Sequence, residues 1–396
     1  MKPALLFLTQ RIPYPPIKGE KIRPLQMLRH FTQTHDVHLG TLVDDPQDMM
    51  HVPTVAAMCS CSYFAPIDRR RAKITCLRGL LTGEPLSVTF YHDRDLARWV
   101  RRVLTDVKPA AIVVCSSNMA PYVLDLKAPD ALCVVDLADV DSEKWRAYAA
   151  EGSGPMGWVH RREWHRVAAL EARIARDCSW STFVSKEEAA LFRSQHPAAG
   201  ARIRAISNGV DSVYFDPALP TTAPYDTARP NYVFTGTMDY PPNIGAVTWF
   251  ANSILPLIQQ RSPGAQFHIV GSSPAAAVTA LGTQPGVFVT GRVPDVRPYV
   301  AHATAAVAPM RIARGIQNKV LEAMAMARTV VLTNDALEGI GAAPGEEIMV
   351  ADTDSAFAAA CLAPPNPAMG EAARRRVLTD YAWPPQLAGF DALLTA

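Results

Sequence analysis

Ten short apolar runs, separated by segments of helical periodicity, constrain this chain more than any other feature. Runs at 4–8, 38–43, 110–115, 132–137 and 181–184 read as strands, and the spacing predicts helices over 23–31, 93–105 and 158–176. The pattern restarts with strands at 232–234, 267–270, 287–289, 305–308 and 329–332, and helices over 244–260, 275–281, 319–327 and 355–362. Strand–helix alternation predicts an α/β chain in which helices cover both faces of a parallel sheet. Residues 206–230 interrupt it with a Pro- and Thr-rich stretch that lacks helical periodicity. Two doubly wound domains follow, 1–205 and 206–376, with ligands expected outside the carboxyl ends of the strands, at a cleft between the domains. Residues 377–396, with Tyr381, Trp383 and Phe390, read as a terminal helix returning to the first domain.

Composition narrows the function classes. Hydrophobic residues are 49% and charged residues 19% of the 396, enough for large cores. A net charge of +2 gives no case for nucleic acid. No apolar stretch reaches 18 residues, and 4–8 is too short for a signal-peptide core. The seven cysteines are scattered, several within apolar runs, as in a cytoplasmic protein of a reducing compartment. Cys59 and Cys61 are the only close pair and lack further ligands at zinc spacing, so no metal and no cofactor are expected.

The stretch RGIQNKVLEAMAM (314–326) carries the strongest chemical signal. It follows the apolar run 305–309 and opens a helix, with Gly315 at the turn, Lys319 in the first helical turn and Glu322 one turn on. Free amides at a helix N-terminus attract an anion, and a lysine there adds a full charge. A carboxylate beside them accepts hydrogen bonds from a sugar diol, so phosphate plus diol suggests a nucleotide sugar.

Other strand-end loops have weaker signals. TGTMDYPPN (235–243) places Gly236 after a strand and Asn243 near the next helix. RIPYPPIKGEK (11–21) is a Pro-rich loop in which Gly19 permits close approach, or a rigid turn with solvated charges. VDLADVDSEKW (135–145) gathers four carboxylates before Lys144. Asp141 or Ser142 reads as a helix cap, leaving Asp136 or Asp139 to face the cleft. VTGRVPDV (289–296) offers backbone to a nucleobase edge, or is a turn capped by Asp295. Residues 68–81 mix Arg69, Arg70, Arg71, Lys73 and Arg78 with apolar residues, a pattern of an anionic membrane surface or of a solvated helix face. Ser/His/Asp arrangements and a phosphate-loop GxxxxGK spacing are absent.

With these stretches together, and SNGVD (207–211) and APMRIARGIQNKVLEAMAM (308–326), the chain resembles a retaining glycosyltransferase of the GT-B fold, from the broad family 4 group. The likeness is nearest to the sugar transferase associated with bacterial exosortase (PEP-CTERM) exopolysaccharide loci. It implies two Rossmann-like domains facing a cleft, a nucleotide-sugar donor on the second domain, and a lipid-linked or polysaccharide acceptor on the first, with peripheral contact at the inner membrane. By that resemblance Glu322 would hold the ribose and Lys319 the diphosphate. The backbone of Gly315, Ile316, Gln317 and Asn318 would contact phosphate or sugar, with Gly236 and Asn243 beside them. Arg292 and Val293 would flank the base, and Gly19 would approach the diphosphate. Asp136 or Asp139 would orient the acceptor. Arg314 stands where the family motif has a first glutamate, and would contact phosphate or a sugar carboxylate. An epimerase of the same fold and a non-catalytic nucleotide-sugar-binding or scaffold subunit are the alternatives, the latter favoured by Arg314. A dehydrogenase lacks its GxGxxG fingerprint.

Overall fold

The computed structural model describes residues 2–16, 19–76, 79–126, 131–151, 153–313 and 316–395. It divides into two compact units, Met1–Ser207 with Leu387–Ala396, and Asn208–Gln386.

The first unit is built on seven parallel strands: β1 (Ala4–Thr9), β2 (Asp36–Val43), β3 (Cys61–Pro66), β4 (Ala111–Cys115), β5 (Leu132–Ala138), β6 (Trp180–Phe183) and β7 (Ile203–Ala205). Their order is β3-β2-β1-β4-β5-β6-β7, so the winding reverses between β1 and β4. In register, Phe7 pairs with Leu39 on one side and Val113 on the other. Central strands read as unbroken apolar runs because helices cover both faces; every residue of β4 is buried.

The second unit repeats the plan with β8 (Asn231–Thr235), β9 (Gln266–Val270), β10 (Val287–Gly291), β11 (Ala305–Ala308), β12 (Val330–Leu332) and β13 (Met349–Val350). The order β10-β9-β8-β11-β12-β13 puts its switch between β8 and β11. All described pairings are parallel, as the alternation requires.

Three strands escape the sequence pattern, β3, β7 and β13, and all three are sheet edges. These three are half-exposed or very short and carry no apolar run, whereas the fourth edge, β10, keeps the run 287–289. The helix expected over 244–260 is instead Pro241–Trp249, a widened turn Phe250–Ile254, and Leu255–Arg261. Pro256 has no N–H to close the regular ladder, and the turn widens just before it. At the C-terminus the return to the first unit begins at Leu387, later than the expected 377. Val377 lies in the second unit's core, whereas Phe390 sits edge-on to Phe31 at 5.8 Å. Among the described residues no helix is long and apolar enough to cross a membrane.

Candidate functional site

In the second unit three neighbouring strands end on glycine: Gly236 follows β8, Gly271 follows β9, and Gly291 closes β10. The amide of Gly236 donates to Val270 O (3.1 Å), and that of Gly271 to Gly291 O (3.1 Å). A Cβ on Gly271 would lie 1.6 Å from Gly236 O, which no side chain survives. A Cβ on Gly236 would meet Asn243 Nδ2 at 2.8 Å and Lys319 Nζ at 3.4 Å. The carboxyl edge of this sheet is therefore a floor of bare backbone. Gly271 was not among the sequence candidates, although its position directly after an apolar strand repeats the signal that marks Gly236.

Beside the floor, at the carboxyl end of β11, the chain turns into the helix Asn318–Ala325. Gln317 is its N-cap residue and places no side-chain bond on the first-turn amides. Lys319 points back over the sheet. Its Nζ donates to Asn243 Oδ1 (2.6 Å), sits 4.1 Å above the Phe234 ring centre and 3.9 Å from Met310 Sδ. Asn243 is buried and also donates to Thr237 O (2.8 Å), so the loop after β8 fixes the amide that holds the lysine. Among the described residues no carboxylate lies within ion-pair distance of Lys319. Burial pushes its pKa down to about 7, with Glu322 pulling the other way. Burial likewise lifts Glu322 to about 7, opposed by Lys319. Both remain half-buried rather than sealed. A poorly solvated cation and carboxylate one helical turn apart, over a bare floor, are prepared for an anion and for hydroxyl donors.

The remaining candidates of this unit are distributed around that core. Ile316 packs against Gly339, where a Cβ would approach it to 3.2 Å. Asn318 opens the helix, half-buried. Arg292 is exposed just past the β10 end, while Val293 is half-buried against Val270 and Ala303. Arg314 and Gly315 lie outside the described residues.

In the first unit the two candidate carboxylates part company. Asp136 is buried, with Oδ2 accepting from Arg23 Nε (2.7 Å) and Oδ1 from Arg23 Nη2 (2.8 Å) and Thr182 Oγ1 (2.7 Å). Asp139 lies beyond a kink: β5 slips register between Asp136 and Ala138, Ala138 has φ 66°, and Asp139 emerges exposed. On the neighbouring β4, Ser116 also has a positive φ, 83°. Two non-glycine residues held left-handed on adjacent strand ends cost of order 1–3 kcal/mol each, a pattern found where backbone is shaped for a ligand. The expected capping by Asp141 and Ser142 takes another form. Asp141 accepts from Ser117 Oγ (3.0 Å), and the Ser142 amide donates to Glu171 Oε1 (3.1 Å) from the helix Gly154–Asp177. Sequence pattern misses that cap because its two partners are 29 residues apart.

Gly19 opens the helix Gly19–Thr34, exposed and with open space where a Cβ would be. The charges around it are not free. Arg11 pairs with Glu20 and with Asp44 (3.1 Å), and buried Lys21 with Asp48 (2.6 Å).

Comparison with known proteins bears on both units. Residues 229–363 match the family model described as glycosyl transferases group 1. No curated protein matches the chain. Solved structures match along its whole length. A glycosyltransferase from Rickettsia africae ESF-5 is 12% identical with a TM-score of 0.65, covering 100% of this chain and 98% of that one. Sucrose-phosphate synthase from Thermosynechococcus elongatus is 18% identical with a TM-score of 0.66, with the same coverage. Anabaena HepE, solved in complex with UDP, is 13% identical with a TM-score of 0.67 and full coverage of both chains. The two parallel-sheet units, with these neighbours, establish that the chain has the GT-B fold.

Proposed function

We propose that this protein is a glycosyltransferase that moves a sugar, with retention, from a nucleotide-sugar donor to a lipid-linked or polysaccharide acceptor in exopolysaccharide assembly. The observation that carries the reading is Lys319: an ammonium held by Asn243, Phe234 and Met310, with no carboxylate among the described residues paired to it, at a helix N-terminus above a glycine floor. Such a cation is completed by a diphosphate. Glu322 takes the ribose diol, Arg292 and Val293 flank the base, and Ile316 to Asn318 meet phosphate or sugar through their backbone. The hard step is departure of the nucleoside diphosphate, whose growing charge Lys319 and the helix amides stabilise; preorganised donors of this kind contribute roughly 3 kcal/mol each. The departing phosphate accepts the acceptor's proton, so no separate base is needed. Asp139 orients the acceptor, since the carboxylate of Asp136 is already engaged by Arg23 and Thr182.

Support comes from the family match, which spans every donor-side residue named here, and from HepE, which has also been solved in complex with UDP-glucose. Calorimetric titration with a panel of nucleoside diphosphates and their sugars tests the reading. One ribonucleotide should bind, Lys319→Ala should abolish binding, and Glu322→Ala should weaken the ribonucleotide while leaving its 2′,3′-dideoxy counterpart unchanged. Absence of binding by every nucleotide would sink the proposal. Binding without release of nucleoside diphosphate in the presence of acceptor would demote the chain to a binding subunit, and the anomeric configuration of the product, read by NMR, decides retention.

A further inference from the structure

The first unit brings together two cysteines that the chain keeps 45 residues apart. Cys133 is the second residue of β5, and Cys178 follows the helix Gly154–Asp177 at the turn into β6. Their Sγ atoms lie 3.5 Å apart, in contact but unbonded. Sulfurs of a disulfide sit about 2.0 Å apart, so closure needs an approach of about 1.5 Å, within reach of small side-chain rotations.

Both backbones are pinned, so the contact is held in place. Cys133 pairs with Ile112 of β4 in the ladder, and its amide donates to Ser179 Oγ (3.1 Å). The Cys178 amide donates to Ile174 O (3.0 Å) at the helix end, and its carbonyl accepts from Arg202 Nη1 (2.9 Å). The sulfur neighbour of buried Cys115, by contrast, is a thioether, Met27 Sδ at 3.9 Å, which cannot form such a bond.

The two thiols are not equivalent. Cys178 is 3% exposed, whereas Cys133 is half-buried, so an oxidant from solvent reaches Cys133 first. The hydrogen bond with Cys133, together with burial, raises the Cys178 thiol well above its ordinary pKa, with Arg202 opposing. Cys178 is thus protonated and shielded, suited to resolve an oxidised neighbour rather than to react first.

We propose that Cys133 and Cys178 are an oxidative modification site, forming a reversible disulfide when the protein meets a peroxide. The Cys133 sulfur attacks one oxygen of hydrogen peroxide, the O–O bond breaks, and water leaves, giving the sulfenic acid. The Cys178 sulfur then attacks the Cys133 sulfur, the S–O bond breaks, and the hydroxyl leaves as water with the Cys178 proton. Two thiols and one hydrogen peroxide become one disulfide and two waters. A dithiol reductant reverses the bond by exchange. The bond closes residues 133–178 into a covalent loop that contains Asp139, the helix Asp141–Glu151 and the helix Gly154–Asp177. Oxidation therefore stabilises the first unit by restricting its unfolded chain. The proposal does not depend on the transfer reaction.

Peptide mapping of the full chain tests it, after brief treatment with hydrogen peroxide and alkylation of the remaining thiols without reductant. A linked pair of peptides carrying Cys133 and Cys178, lighter by two hydrogens than the separate thiols, is expected, and dithiothreitol should remove it. Cys133→Ser and Cys178→Ala should each abolish that species, while Cys61→Ser, at an exposed thiol, should leave it unchanged. The oxidised first unit should unfold about 5–10 °C above the reduced one. Recovery of both thiols alkylated after peroxide, sulfinic acid at Cys133 beside a free Cys178, or linkage of either to another cysteine overturns the proposal. A midpoint unchanged or lowered by the cross-link overturns the restraint assigned to the loop.

Discussion

Lys319 shows how much a single environment decides. In sequence it is one of 39 cations; in the structure it faces an amide, a thioether and an aromatic ring. With a pKa near 7, it is fully charged only below that pH. A bound diphosphate favours the ammonium and raises that pKa, so affinity should fall as pH rises above about 7, by up to tenfold per pH unit. The diphosphate of a nucleotide sugar does not titrate there, so the slope belongs to the protein. Dissociation constants from about pH 6 to about pH 9 check it, with Lys319→Arg expected to remove the slope and Glu322→Gln to separate the carboxylate's share. Gly271 makes a harder demand. Gly271→Ala should destabilise the second unit by more than about 3 kcal/mol or prevent its folding, because the clash is with backbone. Gly236→Ala should fold but lose nucleotide affinity, since its clash is with the Asn243 side chain that holds Lys319. Denaturant unfolding and calorimetry distinguish the two.

At the scale of elements, β5 and the helices after it separate structure from chemistry. Asp136→Ala strands the buried Arg23 and should cost about 3–5 kcal/mol in unfolding free energy. Asp139→Asn, beyond the kink, should change stability by less than about 0.5 kcal/mol while lowering kcat/KM. The reverse pattern would exchange their roles. The cap on the helix Asp141–Glu151 makes a pH prediction. Burial lifts Glu171 from 4.5 to about 7. Between those values the folded state holds the extra proton, so stability falls as pH rises from 4.5 through 7, by on the order of 3 kcal/mol at most. Glu171→Gln keeps a carbonyl for the Ser142 amide and should flatten that slope in urea titrations. The pattern of residues identified the carboxylate cluster but not which member lies inside, because the register slip and the partners Arg23, Thr182 and Glu171 come from distant segments.

Over the whole molecule, each unit has its own core and sheet, with the second inserted between Ser207 and Leu387 of the first. The second-unit candidates Gly236, Asn243, Lys319 and Glu322 all lie within residues 229–363, the stretch that the family model matches. A nucleotide at about 100 times its Kd should add about 2.7 kcal/mol to the stability of that unit. Slowed hydrogen exchange should appear at 235–243, 271–273, 291–293 and 316–322. Protection spread evenly through the second unit's sheet, without focus on these loops, would place the ligand elsewhere.

The sequence by itself determined the parallel α/β class, the restart after the Pro-rich break, the helix bearing Lys319 and Glu322, and the glycine turn at Gly236. Those features are local: an apolar period, a glycine after a strand, a charge within one helical turn. Tertiary structure alone decided the edge strands β3, β7 and β13, the close crossing of Gly271 over Gly236, the meeting of Asn243 with Lys319, and the burial of Asp136 against the emergence of Asp139. Each of these depends on which distant segment lies alongside, and so on desolvation and pairing rather than on any period in the chain.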